Sequence, residues 1–145
     1  MRPVDRRVAG PARSRVEVLG ELREEFNAAS TARVRLGDGA RRLVAYAFVA
    51  PGESPVVALA AARRYAEREG HRVIREFADA TGPLDPRRRP GYLEARRLVS
   101  AGYAEGLVVR SMQDISIDLD EYELEIRDLG EKSALVLLER PEESR

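Results

Sequence analysis

The 145-residue chain contains no cysteine and no tryptophan, one histidine and two methionines. The missing cysteine excludes disulfides, thiolate nucleophiles and cysteine-ligated zinc. No apolar run approaches the roughly 18 residues a membrane span needs, and the N-terminus lacks the apolar centre of a signal peptide. A soluble, cytoplasmic protein is therefore expected. Lysine is nearly absent as well. Lys132 is the only one, and the other basic residues are all arginine, a skew that reads as coding bias more than as phosphate recognition. Basic and acidic residues balance at 25 each, so no whole-molecule field draws the chain toward nucleic acid. What is present, 43% hydrophobic and 34% charged residues, suits one globular domain.

Residues 1–13 are rich in Arg, Pro and Gly, have no periodicity and read as a flexible arm. Ser14 with Glu17 fits a capping box, and Leu19, Leu22, Phe26 and Ala29 keep helical spacing, so a helix is expected over 14–28, weakened by Gly20. "ARVRLGDGARR" suggests a weak strand and a turn at 37–39. From residue 42 the pattern sharpens. "RLVAYAFV" reads as a buried strand. Ser54-Pro55 is a helix start, with the hydroxyl at the cap, and Gly70 is a stop. "HRVIREFAD" is a second strand, and "ATGPLDPRRR" is a loop dense in turn residues. Pro90 opens a helix that Gly102 closes, "GLVVRSM" is the third strand, and Leu119, Tyr122, Ile126 and Leu129 mark a helix expected to end at Gly130. "SALVLLE" is the fourth strand. The order β-α-β-α-β-α-β over 42–139 implies a three-layer α/β sandwich with a mostly parallel four-stranded sheet and helices on both faces. Residues 1–40 are then an N-terminal extension, 41–140 the α/β domain and 141–145 a tail.

In such sheets function sits at the C-terminal ends of the strands. The loops 50–54, 79–90 and 111–117 are the candidates. They contain no glycine-rich phosphate cradle of the dinucleotide or P-loop kind. His71 falls at a strand start, at the opposite end, and reads as a surface or structural residue. No His/Asp/Glu set assembles into a metal site, so neither metal nor cofactor is expected.

Residues 43–139 resemble the N-terminal catalytic domain of serine recombinases, the resolvase/invertase family. The likeness is carried by "LVAYAFVAPGES", "YAEREG", "FADATG", "RRPGY" and "AEGLVV" in succession, over about two-thirds of the chain. It implies a resolvase-like sheet and a chemistry in which a serine hydroxyl attacks a DNA phosphodiester while arginines stabilise the charged transition state. Position by position, however, the implied machinery is missing. Tyr46 matches the family tyrosine, but Phe48 stands at an arginine position, Ala50 at the nucleophilic serine and Ala58 at a glutamine. The family's Asp-Arg-x-x-Arg after the third strand becomes Gln113, Asp114 and Ile117. Arg89 is retained before Pro90, and Asp79 matches in a structural role. Alanine has no oxygen with which to form a phosphoserine link. Each lost transition-state donor costs about 3–4 kcal/mol, and Asp114 sets an anion where a cation belongs. Ser54 and Ser111 lie in site loops without a base or arginine cluster. Only a few residues follow the fourth strand, so the family's long dimer helix and DNA-binding module are not expected.

Charge is uneven along the chain. Arg87, Arg88, Arg89, Arg96 and Arg97 crowd 86–97, and eight carboxylates crowd 114–131. These segments read as solvated surfaces or as complementary faces for self-association or a protein partner. Three functions follow as expectations. The first is a catalytically inactive recombinase-like domain serving as a protein-interaction or regulatory module. The second is a recombination accessory that binds DNA weakly through Arg2, Arg6, Arg7 and Arg87 to Arg89. The third is a small-molecule enzyme built around Arg89, Asp114 and Ser111. No membrane partner is expected.

Overall fold

The structure, a computed structural model, describes residues 13–33, 39–80 and 85–143. Along the chain run α1 (Arg15–Arg33), β1 (Arg42–Phe48), α2 (Val56–Arg68) and β2 (Arg72–Asp79), then a 3-10 turn at Pro86–Arg88 and α3 (Pro90–Ser100). There follow β3 (Gly106–Val109), a second 3-10 turn at Met112–Asp114, α4 (Leu119–Glu131) and β4 (Leu135–Leu138). The four strands form one sheet in the order β2-β1-β3-β4, with every pairing parallel. Parallel pairing follows from the helical crossovers between strands. The central strands read as continuous apolar runs because both their faces are covered: Leu43 to Ala47 and Gly106 to Val109 are all buried. Edge strand β2 keeps only Val73 buried.

Alternation along the strands sorts the core in two. Val44, Tyr46, Leu107, Val109, Val136 and Leu138 face α1, α3 and α4, where they meet Leu19, Tyr92, Leu98, Tyr122, Ile126 and Leu129. On the opposite face Leu43, Ala45, Val108 and Leu135 pack on Ala62 and Ala66 of α2. Alanines at the contact let α2 sit close to the sheet. Gly70 and Gly102, at φ +87° and +85°, end α2 and α3 as expected.

Helix α1 differs from its expected span. The Ser14–Glu17 capping box forms, with each side chain accepting from the other residue's N–H at 3.1 and 3.0 Å. The helix then continues past residue 28 to Arg33. Its last turns are held from outside. The Asn27 amide donates to the Val136 carbonyl at 2.9 Å and accepts from the Val136 N–H at 3.0 Å, doing for edge strand β4 what a neighbouring strand would do. Ser30 donates to the Ser133 carbonyl at 2.6 Å and accepts from Arg41, which is buried. Gly20 is not a defect of this helix: a Cβ there would lie 3.0 Å from Oε1 of Glu142. Glu142 accepts from Arg23 Nε at 2.7 Å and Nη2 at 3.0 Å, and from the Tyr122 hydroxyl, so the segment after β4 locks α1 in place. The strand and turn expected around 32–42 fall largely outside the described residues.

Gly130 does not end α4. It lies inside the helix, where a Cβ would come within 2.2 Å of the Phe26 ring, so the missing side chain makes room for α1. Ser133 takes the left-handed position at φ 62°, and Ala134 N–H bonds back to the Leu129 carbonyl at 3.0 Å. α2 likewise starts one residue later than expected. Ser54 Oγ accepts from the Val56 N–H at 3.2 Å, and Pro55 occupies the cap position itself.

Candidate functional site

The C-terminal ends of β1, β2 and β3 meet around one buried network. The Tyr46 hydroxyl donates to Asp79 Oδ2 at 2.7 Å. Asp79 also accepts from the N–H groups of Gly91 and Tyr92 at 2.9 and 3.0 Å, so it caps α3 from the end of β2. Gly91 is required for that approach, since a Cβ would sit 2.7 Å from the Ala78 carbonyl. Burial, reinforced by the hydrogen bond to Asp79, holds the Tyr46 phenol far above its usual range, so it remains a neutral donor. The Tyr46 and Tyr92 rings meet edge to face at 5.2 Å.

Arg89, beside this network, is only 1% exposed. Its Nη1 donates to the Asp114 main-chain carbonyl at 2.8 Å, and its guanidinium lies 3.7 Å from the centroid of the Phe48 ring. Arg89 is therefore packed between a carbonyl and an aromatic face. Asp114 is buried too, at 3%. Its Oδ1 accepts from the Phe48 N–H at 3.0 Å, and its Oδ2 from the Ser111 N–H and hydroxyl at 3.1 and 3.3 Å. The carboxylate expected to face a scissile phosphate instead turns inward and ties the turn after β3 to the end of β1. Burial pushes its pKa up, against the N–H groups of Phe48 and Ser111.

Ala50 is exposed and opens a tight turn. The Glu53 N–H bonds to the Ala50 carbonyl at 3.0 Å, Gly52 has φ +82°, and Glu53 Oε1 accepts the Ala50 N–H at 3.1 Å. Pro51 and Gly52 occupy the middle of a type II turn. Ser54 spends its hydroxyl on α2, as described above. Gln113 is exposed and Ile117 is 65% exposed. Among the described residues, no set of three or more His, Cys, Asp or Glu side chains could hold a metal.

The basic and acidic segments, expected as solvated surfaces or as faces for self-association or a partner, instead meet inside the molecule. Glu125 is 1% exposed and accepts from Arg87 Nε at 2.6 Å, from the Tyr92 hydroxyl at 2.6 Å and from Arg96, which also reaches Asp128. The basic segment before and within α3 thus docks on the acidic α4. Of the three candidate phosphate contacts, Arg87 is paired, Arg89 is buried and Arg88 is exposed, its guanidinium without a partner among the described residues. Glu125 was missed in the sequence. Its signal was a carboxylate on the buried stripe of Tyr122, Ile126 and Leu129. His71 accepts the Arg41 N–H on Nδ1 at 3.0 Å, and burial with nearby Arg41 lowers its pKa, in line with a structural role.

With this geometry the fold can be compared. Two solved structures align over about two-thirds of the chain: the C-terminal catalytic domain of ISC1926 TnpA, an IS607-like serine recombinase, and the N-terminal catalytic domain of TP901-1 integrase. The first has a TM-score of 0.52 and 19% identity, over 67% of this chain and 67% of that one. The second has a TM-score of 0.57 and 18% identity, over 65% and 72%. The chain has the fold of a serine-recombinase catalytic domain. No family model matches the sequence, and no curated protein matches it. At the strand ends Phe48 and Asp114 are joined through the Phe48 N–H, while Ala50, Gln113 and Ile117 are exposed. No helix among the described residues is long and apolar enough to cross a membrane.

Proposed function

We propose that this chain is a serine-recombinase-like domain that does not cleave DNA and acts as a protein-interaction or regulatory module. The observation that carries the proposal is the state of Arg89. It is buried, bonded to the Asp114 carbonyl and stacked on Phe48, so it has no face to offer a phosphate. Ala50 adds to this by lacking a nucleophilic oxygen, and its turn is closed by Glu53. Incubation with supercoiled DNA followed by denaturing electrophoresis tests it: neither nicks nor covalent protein–DNA adducts are expected, and an adduct overturns it.

A second reading, a DNA-binding accessory of recombination, is favoured by Arg88 alone among the described candidates, because it is exposed and unpaired there. It requires binding that falls with salt and weakens in Arg88→Ala. A small-molecule enzyme using Arg89, Asp114 and Ser111 has less support, since the polar atoms of Asp114 and Ser111 are spent on each other and on the backbone.

A further inference from the structure

Helix α2 opens with an unbroken apolar stretch, residues 56–62. Ala58, Ala61 and Ala62 face the sheet and are buried. Val56 and Val57 point away and are 67% and 69% exposed, more than any other large hydrophobic residue described. A helix that is apolar on all sides is normally covered on all sides. α2 is covered on one.

The outward stripe continues with helical spacing from Val57 through Ala60 to Arg64. Neighbouring Arg63 is held by Glu76 at 2.6 Å, whereas Arg64 is exposed and has no partner among the described residues. Just before the helix, Glu53 is exposed and engages the Ala50 N–H through Oε1. The stripe therefore runs from a carboxylate, over two valines and an alanine, to an unpaired arginine.

That order is self-complementary when reversed. We propose that α2 is the contact face of a symmetric homodimer in which two copies of the helix cross antiparallel at Ala60; this rests on taking the chain as an interaction module and names its partner as a second copy. Ala60 allows the close approach of the axes at the crossing. Four residues to either side, Arg64 of one copy lies over Val56 and Val57 of the other. Its methylene stem covers the valines and its guanidinium reaches Glu53. Antiparallel alignment also sets each helix's positive end beside the other's negative end. Two such stripes bury less than the roughly 1,200 Å² of a standard interface, so the dimer is weak, with a dissociation constant on the order of 10–100 µM.

Sedimentation of the full chain from about 5 to about 500 µM, spanning that constant, reads the equilibrium directly. A reversible monomer–dimer transition is expected, weakened about tenfold or more by Val57→Glu. Glu53→Arg and Arg64→Glu each weaken it, and the double variant restores it, because in a symmetric pair both contacts are then charge-reversed together. These positions are exposed, and circular dichroism verifies that each variant remains folded. A monomer at every concentration overturns the proposal, as does a dimer indifferent to Val57→Glu or to both single charge reversals. The DNA-cleavage assay is independent of this result: a monomer leaves the inactive-domain proposal standing, and a covalent DNA adduct overturns that proposal while leaving the α2 dimer intact.

Discussion

The guanidinium of Arg89 stacks 3.7 Å from the centroid of the Phe48 ring, in a position where neither residue faces solvent freely. The arginine is thereby a packing element of the strand ends, with its charge directed at the ring face and at the Asp114 carbonyl.

Restoring the missing hydroxyl should accordingly restore nothing. Ala50→Ser is expected to give no covalent adduct with supercoiled DNA. One transition-state donor is worth about 10²–10³ in rate, and Phe48, Asp114 and Ile117, which the family resemblance sets at arginine positions, supply no cation. An adduct from this single change, read on a denaturing gel, would show that Arg89 can leave its packed position.

Asp114 holds two strand-end segments together, and its loss should be costly. Asp114→Ala strands the N–H groups of Phe48 and Ser111 in a buried place. The expected loss is about 2–5 kcal/mol in urea unfolding. Asp114→Asn keeps one oxygen acceptor and should lose less.

Acid should weaken the clasp on α1. Burial raises the pKa of Glu142, but the hydrogen bond and charge of Arg23, with Tyr122, outweigh it and hold the carboxyl below its ordinary value of 4.5. A depressed carboxylate pKa contributes stability above the unfolded value, and that contribution is lost as pH falls through the folded value. Glu142→Gln should therefore cost about 3–5 kcal/mol at neutral pH, where it leaves Arg23 without its carboxylate, and less near pH 3. Asp114, whose pKa is raised by burial, opposes this trend: its charged form is the disfavoured one, so its stability term falls as pH rises through the folded value. Urea titrations of both variants across pH 3–7 separate the two signs.

Gly130 and Phe26 should be coupled. Gly130→Ala places a methyl within 2.2 Å of the ring carbon and is expected to cost about 2–4 kcal/mol. Gly102→Ala, with open space but φ +85°, should cost only about 1 kcal/mol. Pairing Gly130→Ala with Phe26→Ala should cost less than the sum of the two single changes, and the shortfall in a thermal or urea cycle measures the contact.

Much of the fold was legible in the sequence because it rests on local signals. Short apolar runs between helical stretches require crossovers, and crossovers require parallel pairing. Gly70, Gly102 and the Ser14–Glu17 box acted through their own backbone neighbourhoods. Gly130 was misread for a physical reason: a glycine that ends a helix and one that admits a ring from another helix look alike in one dimension. The extension of α1 to Arg33 was hidden similarly, since Asn27 and Ser30 find their partners on β4 and just before it, more than a hundred residues away.

By itself the sequence determined that no serine stands at position 50 and that the strands alternate with helices; that Phe48, Asp114 and Ile117 stand at arginine positions is what the family resemblance implies. Only the tertiary structure decided where the charges go. Arg87 and Arg96 converge on Glu125, Arg23 on Glu142, and Arg89 on the Asp114 carbonyl, although the residues of each pair are 25 to 119 positions apart in the chain. Composition records how many charges a chain carries. Whether a guanidinium faces solvent or a buried acceptor depends on distances of about 3 Å, and only folding sets those.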